Sequence, residues 1–242
     1  RSMRHAATVI AKAAPDMIAR GREIAALVLQ TTADKIEFAG GRFASPHSNR
    51  TFDLLDLAKE AARIALPAAL KDGLAVAADN EMHDPVFPNG CAVCEVEVDP
   101  DTGGTVITRY TSVDDVGRCI NPMIVDGQTH GGIAQGVGEA MVEQCTIDAG
   151  SGQPLCGSFM DYGMPRSNTL PSFTTEIVEV LSPTNPLGIK AGGEGGTTPA
   201  LAVVINAIVD ALKPFGIRDI TMPATPFTVW QAIQAAKARQ RS

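Results

Sequence analysis

Basic residues and cysteine are both scarce in this sequence. Its 20 Lys and Arg face 27 Asp and Glu, which gives a net charge of −7. Nucleic acids and anionic membranes are bound by clustered basic side chains, so this composition argues against both as partners. The five cysteines are an odd number in a chain of 242 residues, which argues against an extracellular disulfide framework and favours reduced thiols.

Long hydrophobic runs are lacking as well. No apolar run approaches the roughly 20 residues that span a bilayer, and no charged segment followed by an apolar one opens the chain. We therefore predict no membrane span and a cytoplasmic location. The sequence begins with Arg1 and not with methionine, from which we expect a processed subunit or a piece of a longer protein.

Metal-binding and nucleophile motifs are also missing. The four histidines are scattered, with no second ligand four residues further on. Cys91 and Cys94 have the spacing of a redox or zinc pair, but on a strand residues three apart point to opposite faces. No Gly-x-Ser-x-Gly element is present. The neighbouring carboxylates Asp114 and Asp115 end a strand pattern, and we interpret them as turn caps.

What the chain does contain is 45% hydrophobic residues, enough for an ample core, and an alternation of helical and strand patterns. The predicted elements are helices over 6–30, 52–64, 124–143, 197–212 and 226–236, strands over 92–98, 105–113 and 173–181, and a hairpin over 35–44. Pro15 is expected to bend or divide the first helix. The alternation predicts an α/β (α+β) fold with mixed sheets flanked by helices.

The sharpest local feature is a glycine-rich loop, Lys190–Gly196, in which Glu194 stands among four glycines just before an apolar helix pattern. Glycines let backbone approach a ligand closely. Three interpretations stay open: a surface loop with a solvated glutamate, a phosphate cradle at a helix N-terminus, or a catalytic base whose pKa is raised in a dry pocket. The phosphate cradle is disfavoured because Lys190 precedes the glycines.

A second feature is a predicted helix that carries five glycines between positions 127 and 138. Each costs a helix about 1 kcal/mol against alanine, so their presence needs a reason. Spacings of three and four place a polar set on the face opposite the apolar stripe: Gln128, Gly131, Gly132, Gln135 and Glu139. Such a face suits a large polar ligand or close helix–helix packing equally. Gln135 favours the ligand, because a dry packing face has little use for an amide.

Seven motifs follow one another along the chain: Phe87–Gly90, Glu95–Asp99 with Thr102-Gly103, Asp115–Gly117 with Ile120–Pro122, the Gln128–Gln135 helix, Asp161–Arg166, Pro186–Glu194 and Asn206–Leu212. In this order, and with similar separations, they resemble the C-terminal half of the molybdenum-cofactor-binding subunit of the xanthine dehydrogenase, aldehyde oxidase and carbon monoxide dehydrogenase family. The resemblance covers essentially the whole chain. It implies that residues 1–242 are the C-terminal part of a molybdopterin-binding domain, with possible sub-lobes 1–80 and 81–242.

The resemblance also implies a set of site residues. Glu194 matches the family's catalytic glutamate, and Gln135 matches a glutamine that contacts the cofactor. Ser2 matches the end of an element that touches the pterin. With the polar helix face and the glycine-rich loop, the candidate cofactor-binding residues are Gln135, Ser2, Gly131, Gly132, Gln128, Lys190, Gly192 and Gly193. The implied cofactor is molybdopterin, usually as its cytosine dinucleotide in bacterial members, with molybdenum held by the pterin dithiolene and no protein side chain as metal ligand.

The implied activity is the oxidative hydroxylation of an aldehyde or an N-heteroaromatic carbon, or the oxidation of carbon monoxide, with water as the oxygen source and Glu194 as the base. The family's molybdenum subunits also need an upstream region. The expected partners are therefore a second chain with the other half of that subunit, an iron–sulfur subunit with 2Fe–2S clusters and an FAD subunit. A non-catalytic cofactor-binding or assembly role is the alternative, and a phosphate- or nucleotide-binding protein is a third hypothesis.

Overall fold

The computed structural model describes residues 2–241, without the side chain of residue 241, and divides the chain into two compact units. The N-terminal unit extends to Asp84 and the C-terminal unit begins at Pro85. The sequence analysis placed the possible sub-lobe boundary between residues 80 and 81. Each unit has a hydrophobic core and a small sheet of its own. The mixed α/β architecture predicted from the sequence is confirmed.

The N-terminal unit combines two α-helices with one antiparallel sheet in the described part of the chain. Its elements are α1 (Ser2–Leu29), β1 (Glu37–Ala39), β2 (Arg42–Ala44), β3 (Thr51–Asp53) and α2 (Leu54–Ala61), with short 3₁₀ turns at Ala33–Lys35 and Ala68–Leu70. Strands pair in the order β1-β2-β3. The predicted hairpin is confirmed, because Gly40 and Gly41 have positive φ values of 56° and 77°, as a tight two-residue turn requires.

Two sequence predictions for this unit are contradicted in part, namely the division of the first helix at Pro15 and the start of the second helix. Pro15 lies inside α1, which continues unbroken to Leu29. A proline removes one backbone hydrogen bond, and the rest of the helix is anchored by residues such as Ile24, which is fully buried against the sheet. The helix expected from residue 52 begins at Leu54, since Asp53 accepts a hydrogen bond from the Asp56 amide at 2.8 Å and caps it.

The C-terminal unit is built on a mixed sheet. Its elements are β4 (Asn89–Val98), β5 (Thr105–Asp115), α3 (Pro122–Met141), β6 (Phe173–Ile177), α4 (Thr197–Leu212) and α5 (Pro226–Arg241), with 3₁₀ turns at Ser167–Thr169 and Lys213–Phe215. β4 and β5 form an antiparallel hairpin, and β6 pairs parallel to β5. The predicted helix over 197–212 is confirmed at both ends.

Helix α4 is the central helix of this unit. Every fourth residue of it is buried, namely Ala200, Val204, Ile208 and Leu212. By length and composition alone, the helical stretch Thr197–Phe215 is long and apolar enough to cross a membrane. The sequence analysis expected no apolar run of this length. The buried stripe of α4 packs with residues of the sheet and of α3 in the main hydrophobic cluster.

Candidate functional site

The C-terminal unit holds an open cavity of about 450 Å³ beside the glycine-rich loop. The start of β4, the end of β5, the loop and the first turn of α4 meet around it. Its lining residues are Phe87, Pro88, Asn89, Gly90, Asp114, Glu194, Gly195, Thr198 and Pro199. The structure thus brings the predicted catalytic glutamate together with the first of the seven motifs.

Glu194 lies in the turn that leads into α4. Its backbone carbonyl accepts a hydrogen bond from the Thr198 amide at 3.1 Å, which joins the loop to the first helical turn. The unpaired amides at a helix N-terminus carry partial positive charge and favour a carboxylate nearby. The side chain of Glu194 is exposed, however. The dry pocket expected from the sequence is therefore not formed by residues 2–241 alone.

Asp114 is a second carboxylate on this cavity, and the sequence analysis missed its role. It is only 5% exposed, and its Oδ2 accepts a hydrogen bond from the Ser112 hydroxyl at 2.5 Å. A side chain at Gly90 would lie 2.6 Å from Oδ1, so glycine is required there. The signal was present: Tyr110, Ser112 and Asp114 alternate along β5 and continue its buried face. The turn-cap interpretation of Asp114 is wrong.

Asp115, in contrast, does cap the turn that follows β5. Its carboxylate accepts hydrogen bonds from the amides of Gly117 at 2.8 Å and Val180 at 3.0 Å, and also from Lys190 Nζ. Burial opposes ionisation of Asp115, but these hydrogen bonds and the charge of Lys190 outweigh it and lower the pKa of the carboxyl. The side chains of Lys190 and Asp115 are only 11% and 12% exposed.

Lys190 is one of the candidate cofactor-binding residues, and the structure pairs it with Asp115. Its amine is held by Asp115, and Lys190 does not line the cavity. Its backbone is fixed too, since its amide donates to the Val116 carbonyl at 2.8 Å. Gly117, with φ +64°, permits this approach, because a Cβ there would lie 2.2 Å from the Gly188 carbonyl oxygen. In the described structure, Lys190 thus ties the glycine-rich loop to the turn that follows β5.

The polar face predicted on α3 is present in part. Gln128, Gly131 and Gln135 are exposed, and no atom lies within 4 Å of a Cβ placed at Gly131. The Gln135 amide nitrogen donates to Glu139 at 3.2 Å, and the Thr197 hydroxyl donates to its amide oxygen at 3.5 Å. The open face therefore adjoins the N-terminus of α4, where Glu194 lies.

Gly132 departs from this arrangement. It is buried, and a Cβ there would come within 2.9 Å of the Thr197 amide nitrogen. Gly136 and Gly196 pack in the same contact, so the backbones of α3 and α4 approach closely. For Gly132 the structure thus shows helix–helix packing, one of the two interpretations left open, and not a place on the open face.

The remaining candidates lie in different surroundings. Gly192 packs beside Val116. Gly193 is exposed, and a Cβ placed there would have no atom within 4 Å. Ser2 begins α1 in the N-terminal unit and is exposed. Among residues 2–241, no three His, Cys, Asp or Glu side chains are grouped so that they could hold a metal ion. Cys91 and Cys94 both lie on β4, as predicted.

A family model described as "Molybdopterin cofactor-binding domain" matches residues 1–171. Relatives match almost the entire chain. The carbon monoxide dehydrogenase large chain of Hydrogenophaga pseudoflava is 32% identical over 97% of this chain, and the gamma subunit of the 6-hydroxypseudooxynicotine dehydrogenase complex of Paenarthrobacter nicotinovorans is 34% identical over 95%. The crystal structure of a Cu,Mo-containing carbon monoxide dehydrogenase superposes with a TM-score of 0.76 and 29% identity over 98% of this chain.

This protein is a molybdopterin cofactor-binding chain, and it belongs to the family of the molybdenum-binding subunits of carbon monoxide and xanthine dehydrogenases. It spans 29% of the length of both curated relatives named above and 30% of the superposed crystal chain. The family resemblance seen in the sequence is confirmed.

Proposed function

We propose that this chain forms one wall of the active site of a molybdenum hydroxylase, with Glu194 as its catalytic base. The observation that carries the proposal is the position of Glu194. It lies on a cavity at the N-terminus of α4, next to the open polar face of α3. A base and a ligand-binding face on adjoining elements can act on one bound reactant.

The residues present fit a molybdopterin cofactor. Gln128, Gly131 and Gln135 offer amide donors and acceptors with no side chain between them, as a large polar ligand pressed against a helix requires. The exposed backbone of Gly193 and the exposed Ser2 are further candidate contacts. When bound, the cofactor supplies the two-electron redox chemistry. The cytosine dinucleotide form is the one we propose.

Glu194 accepts the proton of the water-derived oxygen nucleophile at its carboxylate. A carboxylate placed beside the cavity at the start of a helix can be oriented for this step. The proposed substrates are aldehydes, N-heteroaromatic compounds or carbon monoxide. Two relatives support part of this range, since one is named a carbon monoxide dehydrogenase and the other a 6-hydroxypseudooxynicotine dehydrogenase.

The exposed surface of the C-terminal unit supports a protein partner. Phe159 and Met160 are neighbours along the chain and are 79% and 92% exposed, and adjoining exposed apolar side chains are typical of a surface that a partner covers. We propose that the other part of the molybdenum subunit, on a second chain or on a longer form of this one, covers the cavity and excludes water from Glu194. Iron–sulfur and FAD subunits would carry the electrons away, and the complex would be cytoplasmic.

The alternative is a non-catalytic cofactor-binding or assembly subunit, and the exposure of Glu194 is the observation that favours it. Substitution Glu194→Gln in the assembled complex separates the two. If Glu194 is the base, turnover falls by about 10²–10⁴-fold while molybdenum content is unchanged. The matched control is Glu176→Gln, an exposed glutamate on β6 that does not line the cavity.

The possible results of this experiment lead to different conclusions. Unchanged turnover in Glu194→Gln shows that the chain does not supply the base. Loss of both turnover and molybdenum shows that Glu194 holds the cofactor or the fold.

A separate binding measurement tests the third hypothesis, a phosphate-binding protein. Saturable binding of a nucleotide by this chain without molybdopterin would support it.

A further inference from the structure

A pair of free cysteines outside the proposed active site lies at the neck of a surface hairpin, which is the open end of the hairpin opposite its turn. Cys145 and Cys156 are the two residues, Cys145 exposed and Cys156 partly exposed. Between them the chain turns back on itself through an antiparallel bridge that joins Ile147 to Pro154. Neither thiol has a part in the chemistry proposed above, so the pair requires its own explanation.

The hydrogen bonds of the hairpin define its register. The Leu155 amide donates to the Thr146 carbonyl at 2.8 Å, and the Asp148 amide donates to the Gln153 carbonyl at 2.9 Å. In an antiparallel ladder, hydrogen-bonded pairs alternate with pairs that share no hydrogen bond. Continuing the register outward by one step from the pair 146 and 155 places Cys145 opposite Cys156, in a pair without hydrogen bonds.

This position suits a disulfide. Opposite residues in a pair without hydrogen bonds have Cα atoms about 4.5 Å apart and side chains close together. Disulfides form at Cα separations of roughly 4.4–6.8 Å. The interaction with Cys156 raises the pKa of the Cys145 thiol, which agrees with the pairing that the hairpin register gives.

The turn of the hairpin is held by its own hydrogen bonds. Asp148 accepts from the amide of Ser151 at 2.7 Å and from its hydroxyl at 2.6 Å. The Gly152 amide donates to the Asp148 carbonyl at 2.8 Å. A closed turn keeps the two arms in register, so the thiols at the neck stay opposite each other without a covalent link.

We propose that Cys145 and Cys156 are a redox-active dithiol, which a small-molecule disulfide converts to an intramolecular disulfide. One cysteine, as its thiolate, attacks the small disulfide; a mixed disulfide forms and one small thiol leaves. The second cysteine then attacks the mixed disulfide and releases the second thiol. The protein loses two electrons and two protons, and both appear on the two released thiols.

The reaction should accelerate as the pH rises, because only the thiolate attacks and the pKa of Cys145 is raised by its contact with Cys156. The other titratable groups facing the pair are Tyr162 and Glu143. The Tyr162 hydroxyl donates to Glu143 at 2.6 Å, and this raises the pKa of Tyr162 to about 12. Tyr162 therefore stays protonated in the neutral to mildly alkaline range, and the pH dependence reports on the thiols.

The test treats the protein, in the complex in which it is purified, with oxidised glutathione at increasing concentration and pH. Free thiols are counted by alkylation, and the products are mapped by peptide mass spectrometry. We expect a peptide pair linked through Cys145 and Cys156, with two hydrogen atoms lost and no glutathione retained. Cys91 is the internal control, because it is exposed and faces Val113 across the sheet, so it can form only a mixed disulfide.

The linked pair should be half-formed at an oxidant concentration at least about tenfold lower than Cys91 needs, because the second step is intramolecular. In Cys145→Ser, Cys156 should instead retain one glutathione; Cys91→Ser should leave the linked pair unchanged. The proposal is overturned if Cys145 and Cys156 of the wild type each carry glutathione, or if both remain open to alkylation when Cys91 has reacted.

Discussion

At the scale of single residues, two carboxylates from different elements line one cavity and differ in their exposure to solvent. Glu194 is exposed at the start of α4, whereas Asp114 is buried at the end of β5 and receives a hydrogen bond from Ser112. A buried carboxylate depends strongly on each donor it has, because its lost hydration must be replaced. Asp114 is thus a fixed wall of the site, and Glu194 is free to meet a reactant.

Substitution Ser112→Ala tests this dependence. It removes the hydroxyl that donates to Asp114 at 2.5 Å, and we expect the free energy of unfolding to fall by about 1–3 kcal/mol. Urea denaturation followed by circular dichroism measures the change. Thr174→Ala, at an exposed position on β6, is the control and should change stability by less than about 0.5 kcal/mol. Equal effects of both substitutions would contradict the assigned role of Ser112.

The Lys190–Asp115 pair predicts a dependence of stability on pH. The folded pKa of Asp115 lies below its unfolded value of about 3.9, so the stabilisation is complete above that pH and is lost as the pH falls through the folded pKa. Lys190→Met removes one of the donors to the carboxylate and should lower stability at pH 7 by about 1–3 kcal/mol. Below the folded pKa the difference from the wild type should shrink. Denaturation curves at several pH values check this, and a difference that is constant with pH would contradict the ion pair.

At the scale of elements, four of the five glycines of α3 fall into two groups, one packed against α4 and one on the open face. Gly132 and Gly136 let α4 approach, whereas Gly131 lies on the open face where nothing occupies the place of a side chain. The sequence pattern could not separate the groups, because both sets follow helical spacing. Only the position of α4 decides which of these four glycines are packed.

Two alanine substitutions distinguish the groups. Gly136→Ala places a Cβ 2.6 Å from that of Ala200, and we expect a loss of about 1–3 kcal/mol in stability from overpacking. Gly131→Ala meets no atom within 4 Å and should raise stability by up to about 1 kcal/mol through better helix propensity. Thermal unfolding of both variants measures the two changes in stability, which should have opposite signs. If Gly131 also contacts the cofactor, Gly131→Ala will lower the molybdenum content despite its higher stability.

The accuracy of the sequence analysis differed among elements for a physical reason. The long apolar repeat over 197–212 predicted α4 at both ends, and the turn glycines predicted the β1–β2 hairpin. The three-residue strand β3 was missed, because so short a segment has no measurable period. Pro15 does not divide the first helix, because a local rule does not include the packing that holds α1.

At the scale of the whole molecule, the chain covers less than a third of its named relatives' length and leaves the proposed base exposed. We predict that protein purified without denaturant from its own host contains molybdenum in near-stoichiometric amount, with iron–sulfur and flavin subunits. Elemental mass spectrometry and identification of the co-purifying chains test this together. Partners without molybdenum would favour the assembly role, and neither molybdenum nor partners would contradict both.

The sequence by itself determined the family, the mixed fold and the identity of the candidate base, because these rest on local motifs and their order along the chain. Tertiary structure alone decided which groups share a site. It placed Asp114 on the cavity, directed Lys190 to Asp115, and divided the α3 glycines between packing and an open face. The physical reason is that burial and ion pairing depend on contacts between distant segments, which no local pattern records.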